Sequence, residues 1–461
     1  MNKNEQAINF YNEEKFAEAE KLALEIFASD NNSFDALDVL AAIYLKENKL
    51  DFLNNLNKSH LTLVRKLARF LTDLNTYEQA AFFYEKALEL EPKDTVGMNN
   101  LALMYEEMNE PEKAKHLYEK SARMEVNYPA LYNLGVLERK LKNLSRSKVC
   151  LQKALALEPN NLYANYSLGM TYLMEKDFKN GYKYFLKRPV KNAQGLKNFW
   201  NGTPQKDKTI LVFCEYGLGD AIMFSRYFPL SKDYFSKVKV CCSPSLHSLF
   251  KSSFEDIEFL STPETEYDFC VFAMNLPYFL NLDFSEIPSS DGYLKVDEAK
   301  VSEYKKKYFN NESKKIGIFY VGGELEKRNA KYRRIALKRL SKLFDIPDTK
   351  FYSFQKEDVF GELENFLDIV DLGKTFNDFS DTAAALKNLD LFITIDSAPV
   401  HLAGAIGVKT LLMLPYYSEW RWFTDESATP WYKTVELIRQ TTPCDWQSVV
   451  DKIYEKLIPQ E

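Results

Sequence analysis

The chain has 461 residues, of which 46% are hydrophobic and 27% charged, and its formal net charge is -6. That length supports about two to four domains with buried cores, and the acidic balance argues against a general nucleic-acid binder. The six cysteines are scattered, with only Cys241 and Cys242 adjacent and no C-x-x-C spacing, so a reducing compartment and no bound metal are expected. The opening MNKNEQAINFYNEEKF is polar and lacks the signal-peptide pattern. No apolar run approaches the ~20 residues that cross a bilayer, so the expectation is a cytoplasmic protein without a transmembrane segment.

The first 190 residues repeat themselves. A small residue following Leu recurs at Ala68, Ala102, Gly135 and Gly169, in steps of 34, 33 and 34, and Ala7 and Ala41 are again 34 apart. Other positions keep the same phase: Ala80 with Ala114, Tyr84 with Tyr118, Ala87 with Ala154, and Pro92 with Pro159. This is the tetratricopeptide pattern of two helices per repeat, with small residues where helices touch and Pro between repeats. The step from Ala41 to Ala68 is short, and residues 50–63 depart from the pattern. Stacked repeats form a superhelix with a concave groove, the expected place for a protein, peptide or glycan acceptor. Asn100 and Asn133 occupy equivalent first-helix positions toward it, although Asn is common there in plain scaffolds too.

Pro189 closes the array, giving a repeat domain at 1–190 and a polar linker at 191–208. From Thr209 short apolar runs alternate with helical stretches, the grammar of parallel α/β units. Expected strands are Ile210–Cys214, Val238–Cys242, Phe269–Ala273 and Tyr293–Val296 in a first lobe, 209–300. Ile316–Tyr320, Phe351–Phe354, Asp368–Val370, Leu391–Ile395 and Thr410–Leu414 follow in a second lobe, 301–461. A closing helix is expected over Cys444–Leu457. The fold class is therefore multidomain, an α-solenoid followed by two Rossmann-like α/β lobes with a cleft between them.

Three constellations face that cleft. The first follows the first strand: Cys214-Glu215-Tyr216-Gly217-Leu218-Gly219-Asp220. Gly217 and Gly219 permit a tight turn and close backbone approach. Ile222 stands where a dinucleotide fingerprint needs its third Gly, and the second strand ends in Ser243 rather than an acid. A nicotinamide-dinucleotide site is thereby excluded. Asp220 remains, either as a helix-start carboxylate or as a general base. The second is the basic run Lys327-Arg328-Asn329-Ala330-Lys331-Tyr332-Arg333-Arg334 after Gly322-Gly323, a solvated face or a phosphate clamp. The third is DLFITIDSAPVHLAGAIGVKTLLMLP, residues 390–415. It reads as a strand, Ser397 as N-cap, a short helix Val400–Ile406 stopped by Gly407, and the next strand. A helix N-terminus past the carboxyl end of a strand suits phosphate. His401, one of four histidines, either faces that ligand or packs beneath the loop.

RPVKNAQGLKNFWNG...TILVFCEYGLGDAIMFSRYFPL resembles the entry to the catalytic region of bacterial tetratricopeptide-repeat glycosyltransferase-like proteins. DSAPVHLAGAIGVKTLLMLP resembles the signature loop of the heptosyltransferase family and, more loosely, of the O-linked N-acetylglucosamine transferases. YYSEWRWFTDESATPWYKTVELIRQ again resembles the repeat-containing group. The resemblance implies a GT-B fold, with the nucleotide-sugar donor held mainly by the C-terminal lobe, the acceptor on the other, and no cofactor or metal. By similarity Asp220 is the candidate base and Lys331 the donor-phosphate lysine. Asp396, Ser397, Ala398, Val400 and His401 cradle the diphosphate, and Gln355 and Lys356 lie at the nucleoside edge. Ala398 stands where the heptosyltransferase loop usually has Gly, and the first lobe is short for the fold.

Two functions follow. One is an inverting, metal-independent transfer of a sugar from a nucleotide-diphosphate sugar to a hydroxyl. Asp220 would act as base, with His401 a further catalytic candidate, and Lys331, Arg333 or Arg334 and the helix after Ser397 would stabilise the leaving diphosphate. The alternative is a repeat scaffold whose transferase-like half senses nucleotides without turnover.

Overall fold

The computed structural model describes residues 2–29, 33–47, 57–190, 193, 195–263, 265–288, 292–322, 333–357, 361–424 and 426–458. It separates into two compact units, Met1–Arg139 with Ser145–Ala164, and Lys140–Leu144 with Asn165–Glu461. Of the stretch 50–63 that departs from the repeat, residues 50–56 lie outside the described ones, and Lys58–His60 forms a 3-10 turn.

The first unit is built of helix pairs, such as Leu61–Asp73 with Tyr77–Leu90 and Thr95–Glu107 with Pro111–Met124. The phased small residues Ala7, Ala41, Ala68 and Ala102 are all buried. A Cβ added to Gly135 would fall 2.6 Å from Leu151 Cγ, so the paired helices approach closely at this position. Caps recur at the same step. Asp94, Asn127 and Asn161 accept the N–H of Gly97, Ala130 and Ala164 at 2.9, 2.9 and 3.1 Å, each satisfying a donor the helix start leaves open. The turn inside each repeat places Asn75, Asn109, Lys142 and Lys176 at φ of 59, 59, 64 and 66, the left-handed residue that ends a helix. Asn133 is half-buried, and its amide donates to Asn99 Oδ1 at 3.1 Å, joining neighbouring repeats rather than standing unengaged.

The second unit contains two sheets. The smaller has strands β1 (Gln205–Phe213), β2 (Phe235–Cys241), β3 (Ile257–Leu260) and β4 (Phe269–Phe272), parallel in the order β3-β2-β1-β4. The larger has β5 (Lys314–Phe319), β6 (Thr349–Ser353), β7 (Val370–Asp371), β8 (Leu391–Ile395), β9 (Thr410–Leu414), β10 (Ala428–Thr429) and β11 (Tyr432–Arg439). Its order is β10-β11-β9-β8-β5-β6-β7, parallel except for the β10–β11 pair. β8 and β9 are buried at every residue. Alternate side chains enter two cores: Phe392, Leu412 and Leu414 join one, Ile393, Ile395, Leu411 and Met413 the other. Strands covered on both faces are therefore apolar apart from Thr394 and Thr410, whose buried hydroxyls donate to the carbonyls of Ile395 and Val408.

Three expectations need correcting. Tyr293–Val296 is not a strand; the N–H groups of Tyr293 and Leu294 instead donate to Ala405 O at 2.7 and 2.9 Å. β1 begins at Gln205, inside the expected linker, and Trp200 N–H donates to Cys270 O at 2.8 Å, pinning that segment to β4. β3, β10 and β11 were not anticipated. The last repeat helix, Phe178–Phe185, shares the larger core with both sheets: the Phe178 ring stacks on Trp431 at 5.9 Å.

Candidate active site

Each sheet reverses its strand order at one place, between β1 and β4 in the smaller and between β5 and β8 in the larger. Ligands of open parallel sheets bind beyond the strand carboxyl ends at such points. The chain leaves β1 through Cys214–Tyr216 and enters the helix Leu218–Phe224, with Gly217 at its N-cap and Asp220 in its first turn. It leaves β8 through Asp396 and enters the helix Ala398–Ala405, with Ser397 at its N-cap. The two helix starts meet. A Cβ on Gly219 would lie 2.8 Å from His401 Cδ2 and 3.3 Å from Ala398 Cα. Gly219 is thus required for close approach, but to protein. Gly217 has φ -76 and ψ 167, extended backbone open to any residue.

Two carboxylate–guanidinium pairs occupy this junction. Asp220 is paired with Arg421, the side chains 19% and 12% exposed. Asp396 is paired with Arg333, 5% and 37% exposed. Burial alone would push the Asp396 carboxyl up; Arg333, with help from His401 and Arg421, outweighs it and holds the group below the usual carboxylate range. Arg333 is raised, chiefly by Asp396.

His401 is packed beneath the loop, the second of its two expected placements. Its Nδ1 lies 2.9 Å from Tyr432 Oη, and its ring stacks on Trp422 at 5.4 Å and 21°. Burial, opposed by Asp396, pushes its pKa down to about 4, so the imidazole is neutral at pH 7. Ser397 holds the N-cap position without capping: its side chain makes no cap hydrogen bond, and among the described residues its buried Oγ has no partner. Ala398 is half-buried and Val400 wholly buried in the core.

The remaining candidates are placed as follows. Gln355 is buried, and its Oε1 accepts the N–H of Val321 at 3.0 Å, tying down the chain after β5. Lys356 is exposed. Arg334 is half-buried, in an isolated antiparallel bridge with Val321. Lys331, with Lys327 and Arg328, lies outside the described residues. Among the described residues, no group of three His, Cys, Asp or Glu is placed to hold a metal ion.

Sequence reasoning missed several residues. Arg421 sits in a 3-10 turn between the wholly buried Trp420 and Trp422; the W-R-W spelling was its only signal. Arg188, at the end of the last repeat helix, is buried and pairs with the equally buried Glu215, donating also to Asn275 Oδ1 at 2.6 Å. Burial raises Glu215 despite Arg188. Tyr216 Oη donates to Pro189 O at 2.6 Å. The loop after β1 is therefore held from residues 185–189. Arg226, also buried, meets no carboxylate among the described residues; it donates to the carbonyls of Met223, Pro288 and Trp431 at 2.9, 3.1 and 2.9 Å.

Comparison with known proteins defines the class first. Tetratricopeptide-repeat family models match residues 66–94, 83–116 and 128–161, so the chain carries tetratricopeptide repeats, followed by a parallel-rich α/β region. Over nearly its whole length it is similar to Protein FlbA of Caulobacter vibrioides, 23% identical across 95% of this chain and 86% of that one. A stretch covering 10% of the chain is 44% identical to Uncharacterized protein ycf37 of Pyropia yezoensis, over 25% of that protein. Among solved structures, the MamA protein is 19% identical over 36% of this chain and 88% of its own, at a TM-score of 0.31. PilF of Pseudomonas aeruginosa is 18% identical over 40% and 88%, at 0.28. Among the described residues no helix is long and apolar enough to cross a membrane.

Proposed function

We propose that the α/β half is a GT-B glycosyltransferase that moves a sugar, with inversion, from a nucleotide-diphosphate sugar to a hydroxyl. The repeats would recruit the protein, peptide or glycan acceptor. The observation that carries this reading is the convergence of Asp220 and the start of the helix Ala398–Ala405 at the strand carboxyl ends, with Arg333 and Arg421 beside them. A transferase of this kind needs a base near the acceptor oxygen and positive potential near the leaving diphosphate. Asp220 would supply the first, and Arg333, Arg421 and the helix start after Ser397 the second. Neutral, hydrogen-bonded His401 positions the loop better than it serves as the base.

The experiment is a thermal-shift screen of the full chain with UDP-, GDP-, ADP- and CMP-sugars, followed by donor hydrolysis with the stabilising donor. Asp220→Asn should cut turnover about 100-fold or more, the scale of a lost general base, without loss of donor binding. Wild-type turnover in Asp220→Asn with chemistry rate-limiting would refute the assignment. A second reading, a nucleotide-sensing scaffold, draws on the pairing of both carboxylates with arginines. Stabilisation by a nucleotide sugar with no turnover on any hydroxyl acceptor would favour it.

A further inference from the structure

Arg421 is held unusually firmly for a side chain that ends in a polar junction. Trp431 Nε1 donates to its carbonyl at 2.7 Å, and Trp420 and Trp422 bury on either side. Arg439 grips the carbonyl of Trp422. The next residue, Phe423, is wholly buried with φ 58 and ψ -153, a region open essentially to glycine and costly for Phe. The turn is strained, and what it delivers is one guanidinium to the carboxylate of Asp220, 201 residues away.

The guanidinium is not satisfied there. One terminal nitrogen is paired with Asp220, the other lies 4.0 Å from Glu419, and the buried Nε has no hydrogen-bond partner among the described residues. Ser397 Oγ, next to the Ala398 that Gly219 touches, is buried without one as well. An oxygen-rich group is the kind of partner that would complete the bonding of either atom, one on a strained turn and one at a helix start. A diphosphate carries more negative charge than one carboxylate and offers oxygens in pairs, which the guanidinium fork matches.

We propose that Arg421 is a switching residue: it is parked on Asp220 in the unliganded protein and transfers to the diphosphate of the incoming donor, releasing Asp220. The inference rests on the transferase reading above and adds order to it. No covalent bond changes in the exchange; one ion pair is traded for another. Once Arg421 has left, the Asp220 carboxylate is free to accept a hydrogen bond from the acceptor hydroxyl and then its proton. The acceptor is then activated only after the donor is in place, which protects the donor from premature hydrolysis.

Calorimetric titration of the full chain with inorganic pyrophosphate, UDP, GDP and ADP tests this. Arg421→Gln should weaken pyrophosphate binding about tenfold or more. Asp220→Asn removes the competitor for Arg421, so it should tighten pyrophosphate binding, by about threefold or more, because the competent fraction rises. That gain should vanish when Asp220→Asn is made in the Arg421→Gln background. A structural latch would move affinity down or nowhere in Asp220→Asn, and either result in folded protein overturns the switch. If wild type binds nucleoside diphosphates and only the tightening fails, the switch falls and the transferase reading stands. If wild type binds neither nucleoside diphosphates nor pyrophosphate, both fall. Should Arg421→Gln not fold, the near-isosteric Asp220→Asn arm decides alone.

Discussion

Glu138 in the repeat unit and Glu215 in the α/β unit are equally buried carboxylates with different surroundings. Glu138 faces two cations, Lys115 at 3.2 Å and Arg146 at 3.1 Å, whose side chains are 23% and 41% exposed. Glu215 faces Arg188, whose side chain is as buried as its own. In the first arrangement the cations keep much of their hydration, so the pair costs little to form. In the second both partners lose water, and the attraction barely repays the loss. The α/β unit repeats this at Asp396–Arg333 and Asp220–Arg421, where three of the four side chains are under 20% exposed. The costly pairs gather at strand carboxyl ends, whereas Glu138 lies where neighbouring repeat helices meet.

Removing one cation from each pair gives the largest contrast. Arg188→Met strands a buried charge on Glu215 and should destabilise the α/β unit by about 3–5 kcal/mol. Arg146→Met leaves Lys115 on Glu138 and should cost about 1 kcal/mol or less. The readouts separate cleanly, because the tryptophans Trp200, Trp420, Trp422, Trp431 and Trp446 are all the chain has and all lie in the α/β unit. Urea unfolding followed by their fluorescence reports that unit, and far-UV circular dichroism adds the helices of the other. Equal losses for the two variants would dissolve the contrast.

Acid should act next most strongly, through His401. Its pKa is lowered from 6.5 to about 4 by burial, with Asp396 pulling the other way. Below 6.5 the unfolded chain takes up a proton that the folded chain refuses. The contribution is therefore fully present above pH 6.5 and lost as pH falls toward 4. At 1.36 kcal/mol per unit the loss is about 3 kcal/mol. Asp396 is lowered too, so its contribution disappears only below its ordinary value of 3.8, a separate window. The fluorescence midpoint in urea should drop between pH 6.5 and 4 in wild type and stay flatter in His401→Gln. An unchanged slope in that variant would assign the acid sensitivity elsewhere.

How much of this was legible beforehand followed from burial. β8 and β9 were read to the residue because both faces are covered and every position is buried, apolar but for Thr394 and Thr410. β11 was missed because neither face is fully covered, and Lys433, Thr434 and Glu436 break its run. Tyr293–Val296 looked like a strand, yet the N–H groups of Tyr293 and Leu294 were claimed by a helix carbonyl and that of Lys295 by Ser253 Oγ. In the site, Asp220 and the 396–401 loop were visible as helix starts after strands. Arg421 was not, because nothing local in W-R-W reveals a partner 201 residues away. Ser397 looked like a cap, and only the geometry shows that its hydroxyl is not used as one.

The smallest expected effect comes from one repeat position met in both units. Gly135 and Gly169 are equivalent, with Ala at the same place in Ala68 and Ala102. A Cβ at Gly135 would press first on the Leu151 side chain, at 2.6 Å, with Leu151 N at 3.2 Å. A side chain can rotate away, and Ala gains about 1 kcal/mol over Gly in a helix interior. Gly135→Ala should therefore change stability by less than about 1 kcal/mol in either direction. At Gly169 the Cβ would meet backbone alone: Phe185 N at 2.7 Å, Gly181 O at 3.0 Å and Phe185 Cα at 3.0 Å. Backbone yields only if the helix Phe178–Phe185 moves, and that helix carries Phe178 and Phe185 into the core beneath Trp431 and Trp420. Overpacking of this kind costs about 1–3 kcal/mol, so Gly169→Ala should be the worse of the two despite the same gain in helix propensity. Because the same helix leads into Arg188 and the loop of Asp220, Gly169→Ala should also lower nucleotide-dependent stabilisation, whereas Gly135→Ala should leave it intact. A Gly169→Ala protein as stable as its Gly135→Ala counterpart would mean that the last repeat helix is free to shift, and that it does not set the position of the loop after β1.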